Sequence, residues 1–365
     1  MTGRRLCVPL SVLDLCPVPT GESTAEALRR SVDLARHVEQ WGFTRHWVAE
    51  HHNMPGIASS APAVLAGQIA SATSAIRVGS GGVMLPNHAP LTVAEQFGML
   101  EALHPGRIDL GIGRAPGTDR VTARALRRSA EGMPAADFAA QLAELRAYFG
   151  GQPAAGGSPG QIRAIPAEGN EPAMWLLGST GHSAEMAGLL GLPFAFAYHF
   201  SAANARPAVA LYRQTFRASA RMTEPYCIIS VSVLCAEDTA AAQWLHGSSR
   251  LSSLRLRAGR PATLPSPEEA AGRSYSAAEQ TVIAEATGSH VVGDPDTVIA
   301  SLGRLVATTG ADELIVTTST FTHADRLASY RLLARAAGPG EQQARSASAL
   351  ADVSPALLPE QIRHA

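Results

Sequence analysis

Residues 78–114 read VGSGGVMLPNHAPLTVAEQFGMLEALHPGRIDLGIGR. The first part, 78–85, is β-rich and carries three glycines, and it cannot continue through Pro86 and Pro90, each of which lacks an N–H and fixes φ. Thr92 followed by Glu95 has capping-box spacing and predicts a helix whose Phe97, Leu100 and Leu103 share one face. Pro105-Gly106 then turns the chain into a strand over 108–114. Strand, helix and strand in that order make a βαβ unit with parallel neighbouring strands. Functional groups in such units collect beyond the carboxyl ends of the strands, and those ends hold Gly81, Gly82, His88 and Arg114.

The same alternation extends outward on both sides. Towards the amino end lie a strand over 6–15, a helix opened by Ser23 and Glu26 and closed at Gly42, a strand over 45–52 and a short helix over 62–70. Past Arg114 come an arginine-rich connection over 120–128, a helix over 135–149 and a Gly/Pro/Ala-rich loop over 150–160. Strands follow over 173–178, 194–199 and 226–235, with a helix running to 190 after Ser179-Thr180-Gly181-His182-Ser183 and further helices over 208–216 and 239–245. Residues 248–286 break the rhythm with arginines at 250, 255, 257 and 260 and three prolines, and read as an insertion or lid after the seventh strand. Asp294-Pro295 caps a further helix, 313–318 is the eighth strand, and a last helix runs to 336. Eight strand–helix alternations without a second domain predict an α/β fold, a (β/α)8 TIM barrel over 1–337. The tail over 338–365 has weak pattern and reads as disordered or as a subunit arm.

Composition narrows the function. A formal net charge of -1 leaves no field to draw in nucleic acid or an anionic membrane. All 30 basic residues are arginines, which excludes lysine Schiff-base chemistry. Cys7, Cys16, Cys227 and Cys235 form no C-x-x-C and read as reduced, structural thiols of a cytosolic chain. The apolar amino end is interrupted by Asp14 and reads as the first barrel strand rather than a signal peptide. No run approaches the roughly 20 apolar residues of a membrane span, so a cytoplasmic location is expected.

Several residues at strand ends can carry chemistry. His51 and His52 follow Glu50, and adjacent strand residues face opposite sides, so one of the two points into the barrel mouth. They cannot easily share one ion and no third ligand is evident, which argues against a metal. A hydrogen-bonded rim histidine and a catalytic imidazole matched to proton transfer near neutrality both remain open. Gly81-Gly82 is a bulge or a place where a flat ligand lies against the backbone. Arg114 either pairs at the surface or joins Ser179, Thr180 and Ser183, just before a helix N-terminus, in holding a phosphate. Glu95 has a sufficient role in its capping box, with a ligand contact as the alternative.

WVAEHH at 47–52, GSGGVMLPNHAPLTVAEQ at 79–96, LHPGRIDLGIGR at 103–114 and LLGSTGHSAEMAGLLGLP at 176–193 resemble the luciferase-like, flavin-dependent monooxygenases. VVGDPDTV at 291–298 and DELIVTT at 312–318 fit the closing part of the same barrel, and the resemblance covers nearly all of 6–336. Within the family it is closest to a subgroup of bacterial single-gene members that includes a tailoring oxygenase of mensacarcin-type polyketide biosynthesis. The resemblance implies reduced FMN at the carboxyl end of the barrel, reacting with molecular oxygen to a C4a-peroxide that oxygenates an organic substrate. It implies Gly81 and Gly82 as a cis pair beneath the flavin. Arg114, Gly178, Ser179, Thr180 and Ser183 match the phosphate-binding set, and His51 the catalytic histidine. A second phosphate-binding arginine has no unambiguous counterpart among Arg124, Arg127 and Arg128, and the 248–286 segment is this chain's own.

No G-x-G-x-x-G follows a strand, so a separate flavin reductase is the expected source of reduced FMN. A homodimer is expected as well. Leu15, Met54 and Phe200 at the rim point to a bulky hydrophobic substrate, epoxidised or hydroxylated, with a polyketide of secondary metabolism among the candidates. A deazaflavin-dependent oxidoreductase and a non-catalytic flavin-binding partner subunit are the alternatives, and His51 counts against the second.

Overall fold

Parallel strands β1 (Leu10–Asp14), β2 (Arg45–Val48), β3 (Arg77–Met84), β4 (Ile108–Gly113), β5 (Ala173–Gly178), β6 (Phe194–Ala197), β7 (Cys227–Cys235), β8 (Val291–Gly293) and β9 (Glu313–Thr317) make one sheet in the computed structural model of the chain. Residues 6–115, 117–127, 135–150, 162–219 and 221–338 are described. Arg128, nearly all of the 150–160 loop and the tail beyond 338 lie outside them. The order β6-β5-β4-β3-β2-β1-β9-β7, closed by β6 on β7, is an eight-stranded barrel with β8 attached outside it. The eighth barrel strand is thus the ninth in the chain. Strand β7 is long enough to serve two neighbours, pairing β9 through Ile228–Ser232 and β8 through Val233–Cys235. Among the described residues no helix is long and apolar enough to cross a membrane.

Helices on the outside return the chain between strands. The helix Thr24–Gln40 buries Ala27, Leu34, Ala35 and Val38 as one stripe, and the Ser23 hydroxyl accepts from the Glu26 N–H. The reciprocal half of that box is not made, because the Glu26 carboxylate takes Arg29 at 2.7 Å. The helix Pro90–Leu103 starts ahead of the Thr92–Glu95 spacing, with Ala89 as N-cap and no side-chain cap. Pro90 occupies the first helical position, where a missing N–H costs nothing and φ is already set. Glu95 therefore has no capping-box role. The 120–128 connection contains a helix, Arg120–Arg127, whose start is held by Asp119 accepting from the Val121 and Thr122 N–H groups.

Strands β2 and β6 stop short of His52 and His199. Beyond Val48 the backbone bonds its own loops, His51 N to Ser59 O at 3.0 Å among them, and Tyr198–Ser201 coils into a helical turn. The 248–286 insertion is mostly helical. Helix Thr239–Arg257 continues past 245, followed by Pro267–Ala271 and Ala277–Thr287. Its apolar periodicity is weak because these helices bury only a narrow seam, Leu251, Leu254, Ala270 and Ile283.

The barrel interior is polar at its amino end. Arg45, at the start of β2 and fully buried, donates to both oxygens of Glu313 on β9 at 2.7 and 3.0 Å and to Asp109 on β4 at 2.9 Å. Its guanidinium lies 4.7 Å from the Trp175 ring centroid, the Trp47 indole N–H donates to Asp109 at 2.8 Å, and Tyr226 OH donates to Glu313 at 2.8 Å. Above this layer Leu13, Trp47, Trp175, Ile228 and Ile315 fill the interior. Arg45→Met leaves buried Glu313 without its cation and Asp109 with Arg77 alone, and should lower the unfolding free energy by about 3–5 kcal/mol. Urea denaturation reads this, and a loss below about 1 kcal/mol would show that the network does not hold the barrel.

Candidate active site

The carboxyl ends of β2 and β3 meet at Glu50. Its buried carboxylate accepts from the Met84 N–H at 3.0 Å, the Asn87 side-chain amide at 3.3 Å, His88 Nε2 at 2.9 Å and His52 Nε2 at 2.9 Å. Burial by itself raises a carboxyl pKa, but the donors from His88, His52 and Met84 outweigh it and hold Glu50 below the usual carboxylate range. Glu50 thus ties the loop after β2 to the loop after β3. Its partners lie more than thirty residues away except for His52, so no local spacing in the sequence reveals it, and His88 has a role as its donor.

His51 is half-buried beside this knot. Its Nδ1 lies 3.2 Å from the Gly117 carbonyl, which can only accept, so the ring hydrogen sits on Nδ1 and Nε2 offers a lone pair. Burial pushes the imidazole pKa down, against the smaller opposing effects of Gly117 and Glu50. At neutral pH the ring is therefore uncharged and able to take a proton at Nε2.

The Gly81–Gly82 peptide is cis, and the β3–β4 register shifts between Ser80 and Val83. A Cβ on Gly81 would sit 2.5 Å from Leu13 Cδ1, and one on Gly82 would sit 2.7 Å from the Gly111 carbonyl oxygen. Gly82 is thus demanded by the barrel's own backbone packing, whereas a Cβ at Gly81 meets the end of a leucine side chain that can shift.

On the next strands the structure brings a set of polar groups together. Gly178 ends β5, and a Cβ there would lie 2.3 Å from Ser183 Cβ, so glycine lets the following helix start tight against the strand. That helix, Gly181–Leu189, has Thr180 as N-cap with no side-chain cap bond. Among the described residues the hydroxyls of Ser179, Thr180 and Ser183 make no hydrogen bond, so hydroxyl groups and orphan helix N–H groups are available together. Arg114 directly follows β4, two residues beyond Ile112, whose partner Leu176 lies two residues before Gly178 at the end of β5. It is half-buried and makes no ion pair among the described residues. Arg124 is exposed on its helix, and nothing is described of the Arg127 side chain or of Arg128. Glu95 is not part of this set: it is half-buried on its helix, where its charge acts on Tyr148 of the helix Ala135–Phe149.

The opposite side of the mouth carries groups the sequence reading passed over. A cavity of about 200 Å³ lies between the ends of β1, β7 and β9 and the insertion, with Leu15, Met54, His246 and His290 in its wall. His246 Nε2 and His290 Nδ1 are 3.0 Å apart, and His199 Nδ1 is 2.7 Å from Ser230 Oγ. Burial depresses the pKa of His246 to about 3 and of His199 and His290 to about 4. Phe200 is 72% exposed against the His199 ring and does not line the cavity. A histidine just past a strand end, as His199 is, was the available signal.

Because the Glu50 pKa is lower in the folded chain than the unfolded value of about 4.3, its carboxylate stabilises the fold above that pH, and the contribution is lost as pH falls through the folded value. Glu50→Gln should cost about 1.5–3 kcal/mol at pH 7. Denaturant midpoints measured from pH 7 down to pH 3 should show the gap to wild type closing in acid, and a gap independent of pH would contradict the charged role.

Comparison with known proteins agrees with this layout. The family model described as luciferase-like monooxygenase matches residues 9–313. Bacillus subtilis YvbT is 52% identical over 89% of this chain and 95% of its own length. The N-acetyl-S-alkylcysteine monooxygenase of the same organism is 34% identical over 90% of this chain and 98% of its own. The crystal structure of apo-MsnO8 superposes with a TM-score of 0.79 at 38% identity, covering 90% of this chain and 97% of that one. The chain belongs to the luciferase-like monooxygenases, flavin-dependent enzymes that act on small molecules, and it presents their barrel with its polar groups gathered at the carboxyl ends of the strands.

Proposed function

We propose that the chain is an FMNH2-dependent monooxygenase that takes molecular oxygen and an organic substrate, with reduced FMN delivered by a separate flavin reductase. The observation that carries this reading is the helix N-terminus at Gly181, whose cap and neighbouring serine hydroxyls are unengaged among the described residues, with Arg114 at the end of the neighbouring strand. Main-chain N–H groups, hydroxyls and one guanidinium are the donor set that a phosphate monoester needs, so the residues fit FMN. Gly178, Ser179, Thr180, Ser183 and Arg114 hold its phosphate in this reading, and Gly81 and Gly82 pass beneath its ring. Glu95 is kept as a further cofactor contact, the alternative to the capping-box role that it does not fill.

Bound reduced FMN supplies the two electrons that let one atom of oxygen enter the substrate while the other leaves as water. His51 handles the accompanying proton: Nε2 accepts it and returns it near the reacting oxygen, while the Gly117 carbonyl fixes the ring's tautomer and angle. Glu50 keeps the two flanking loops closed over this point, and the insertion shields the far side from water. A bulky hydrophobic molecule, epoxidised or hydroxylated, is the substrate class that Leu15 and Met54 in the cavity wall support, and a polyketide is the candidate that the family resemblance adds. Exposed Val64, Met99 and Leu103 on the adjacent helices Pro62–Ala72 and Pro90–Leu103 support a homodimer that covers them. Free, mostly buried cysteines support a reducing, cytoplasmic setting.

Two variants test the reading. Arg114→Ala should weaken FMN binding by about 1.5–3 kcal/mol, the range for a charged hydrogen bond; unchanged affinity in a fluorescence titration places the phosphate elsewhere. His51→Ala should leave FMN binding nearly intact while oxygen uptake yields hydrogen peroxide instead of oxygenated product. Coupling equal to wild type would remove His51 from the chemistry.

A further inference from the structure

The closed strand order puts two imidazoles on opposite walls of the mouth. Around the ring β6-β5-β4-β3-β2-β1-β9-β7, strands β2 and β6 stand four places apart, which in a barrel of eight is face to face. His51 lies just beyond β2 and His199 just beyond β6. The His199 ring reaches inward: its Nδ1 is 2.7 Å from Ser230 Oγ, and Ser230 shares a face of β7 with Ile228, which packs in the barrel interior. A charge on His51 acts on His199, as it must when two groups border one space.

The two rings are held in the same way. His51 has its Nδ1 against the Gly117 carbonyl. His199 has its Nδ1 against Ser230, whose main-chain oxygen also draws on the ring and can only accept, so the ring hydrogen sits at Nδ1 here too. Each ring is thereby left with a lone pair at Nε2, and neither Nε2 makes a hydrogen bond among the described residues. Both side chains are partly open to solvent. Burial keeps both imidazoles uncharged at neutral pH, with the His199 pKa lowered to about 4. At that pH each Nε2 is a hydrogen-bond acceptor and nothing else.

A flavin held at the phosphate set would pass between them. That set lies at the ends of β4 and β5, which the ring order flanks with β3 and β2 on one side and β6 on the other. A molecule anchored there and reaching towards the barrel axis has the His51 wall along one flank and the His199 wall along the other. The chemistry of the isoalloxazine ring then distinguishes its two redox forms. Oxidised, it has acceptors at N5 on one long edge and at N1 on the other; reduced, it can carry an N–H at each. An uncharged imidazole acceptor meets another acceptor in the first form and gains a partner in the second.

We propose that His199, its ring fixed by Ser230, contacts the flavin on the flank across from His51 and accepts a hydrogen bond from an N–H that only the reduced ring carries. This assignment rests on FMN being the cofactor, and it adds a residue that favours the reduced form. Ser230 is the positioning residue. Diethyl pyrocarbonate attacks uncharged imidazoles at a free nitrogen, so it reads the contact on the unsubstituted full chain. With FMN at roughly ten times its dissociation constant, about one molecule in eleven is free, and carbethoxylation of His51 and His199 at pH 6 should slow about tenfold. Modification of His37, on the outer helix Thr24–Gln40, should keep its rate. Inorganic phosphate alone should protect neither His51 nor His199.

The midpoint potential of bound FMN reads the hydrogen bond. His199→Ala should lose about tenfold of the preference for reduced over oxidised FMN, which lowers that potential by about 30 mV. His199→Gln, which keeps an acceptor, should recover part of the loss, and Ser230→Ala should show a smaller fall. If the alanine variant at 199 does not fold, Ser230→Ala carries the potential measurement, and the modification experiment needs no variant. FMN that binds in a fluorescence titration yet leaves His199 as reactive as before would overturn the proposal while the flavin assignment stands. Protection by phosphate alone equal to that by FMN, or an unchanged potential in His199→Ala or Ser230→Ala, would overturn it as well. Failure of the wild-type chain to bind FMN at all would remove the flavin assignment and this contact together.

Discussion

A guanidinium sealed inside a barrel persists only when opposite charge meets it from more than one wall. Arg45 reaches from β2 to Glu313 on β9 and Asp109 on β4, and Tyr226 and Trp47 occupy further valences of those carboxylates. Desolvating three charges is expensive, and excellent geometry with filled hydrogen bonds is what offsets it. The network also fixes which strands face one another across the interior. Once β2, β4 and β9 are set at their amino ends, the parallel direction of every strand delivers all the carboxyl ends to one rim. The positions of His51, Arg114 and the Gly178–Ser183 turn are consequences of that closure.

Much of this architecture was legible because βα repetition is a periodic signal, and β5 and the helix Ala135–Phe149 fall where pattern alone puts them. The misses have physical causes. Capping chemistry at Thr92 lost to a proline already suited to the first helical turn. Strand ends were read too long at His52 and His199 because residue type does not reveal where the backbone turns to bond its own loop. The insertion lacked periodicity because its helices share a thin seam rather than the barrel core. Glu50 was out of reach for another reason: its ligands come from a loop distant in sequence, and nothing in WVAEHH distinguishes a hub from a solvated carboxylate.

Within the mouth, two halves have different character. The β4–β5 side offers N–H groups, hydroxyls and a guanidinium, all suited to negative charge. The β7–β9 side offers neutral imidazoles in apolar surroundings. His51 stands between them, uncharged at neutral pH because burial outweighs the nearby carboxylate. Fixed charge at the rim comes from Glu50 and Arg114, and among the described residues no charged side chain lines the cavity on the β7–β9 side, so the imidazole faces fixed charge from one direction only.

Strand β7 has a consequence for how the chain can change over time. The insertion leaves the sheet at Cys235 and returns at Val291, and these points are bound to each other through Val233↔Val291 and Cys235↔Gly293. Its ends are therefore pinned as neighbours, and the entropy of closing a loop between fixed ends rises only logarithmically with length. The pairing that shuts the barrel uses the lower half of the same strand. Segments of other lengths and compositions can occupy this position while the closure below stays as it is, which makes the cover over the mouth a replaceable cassette on an unaltered frame.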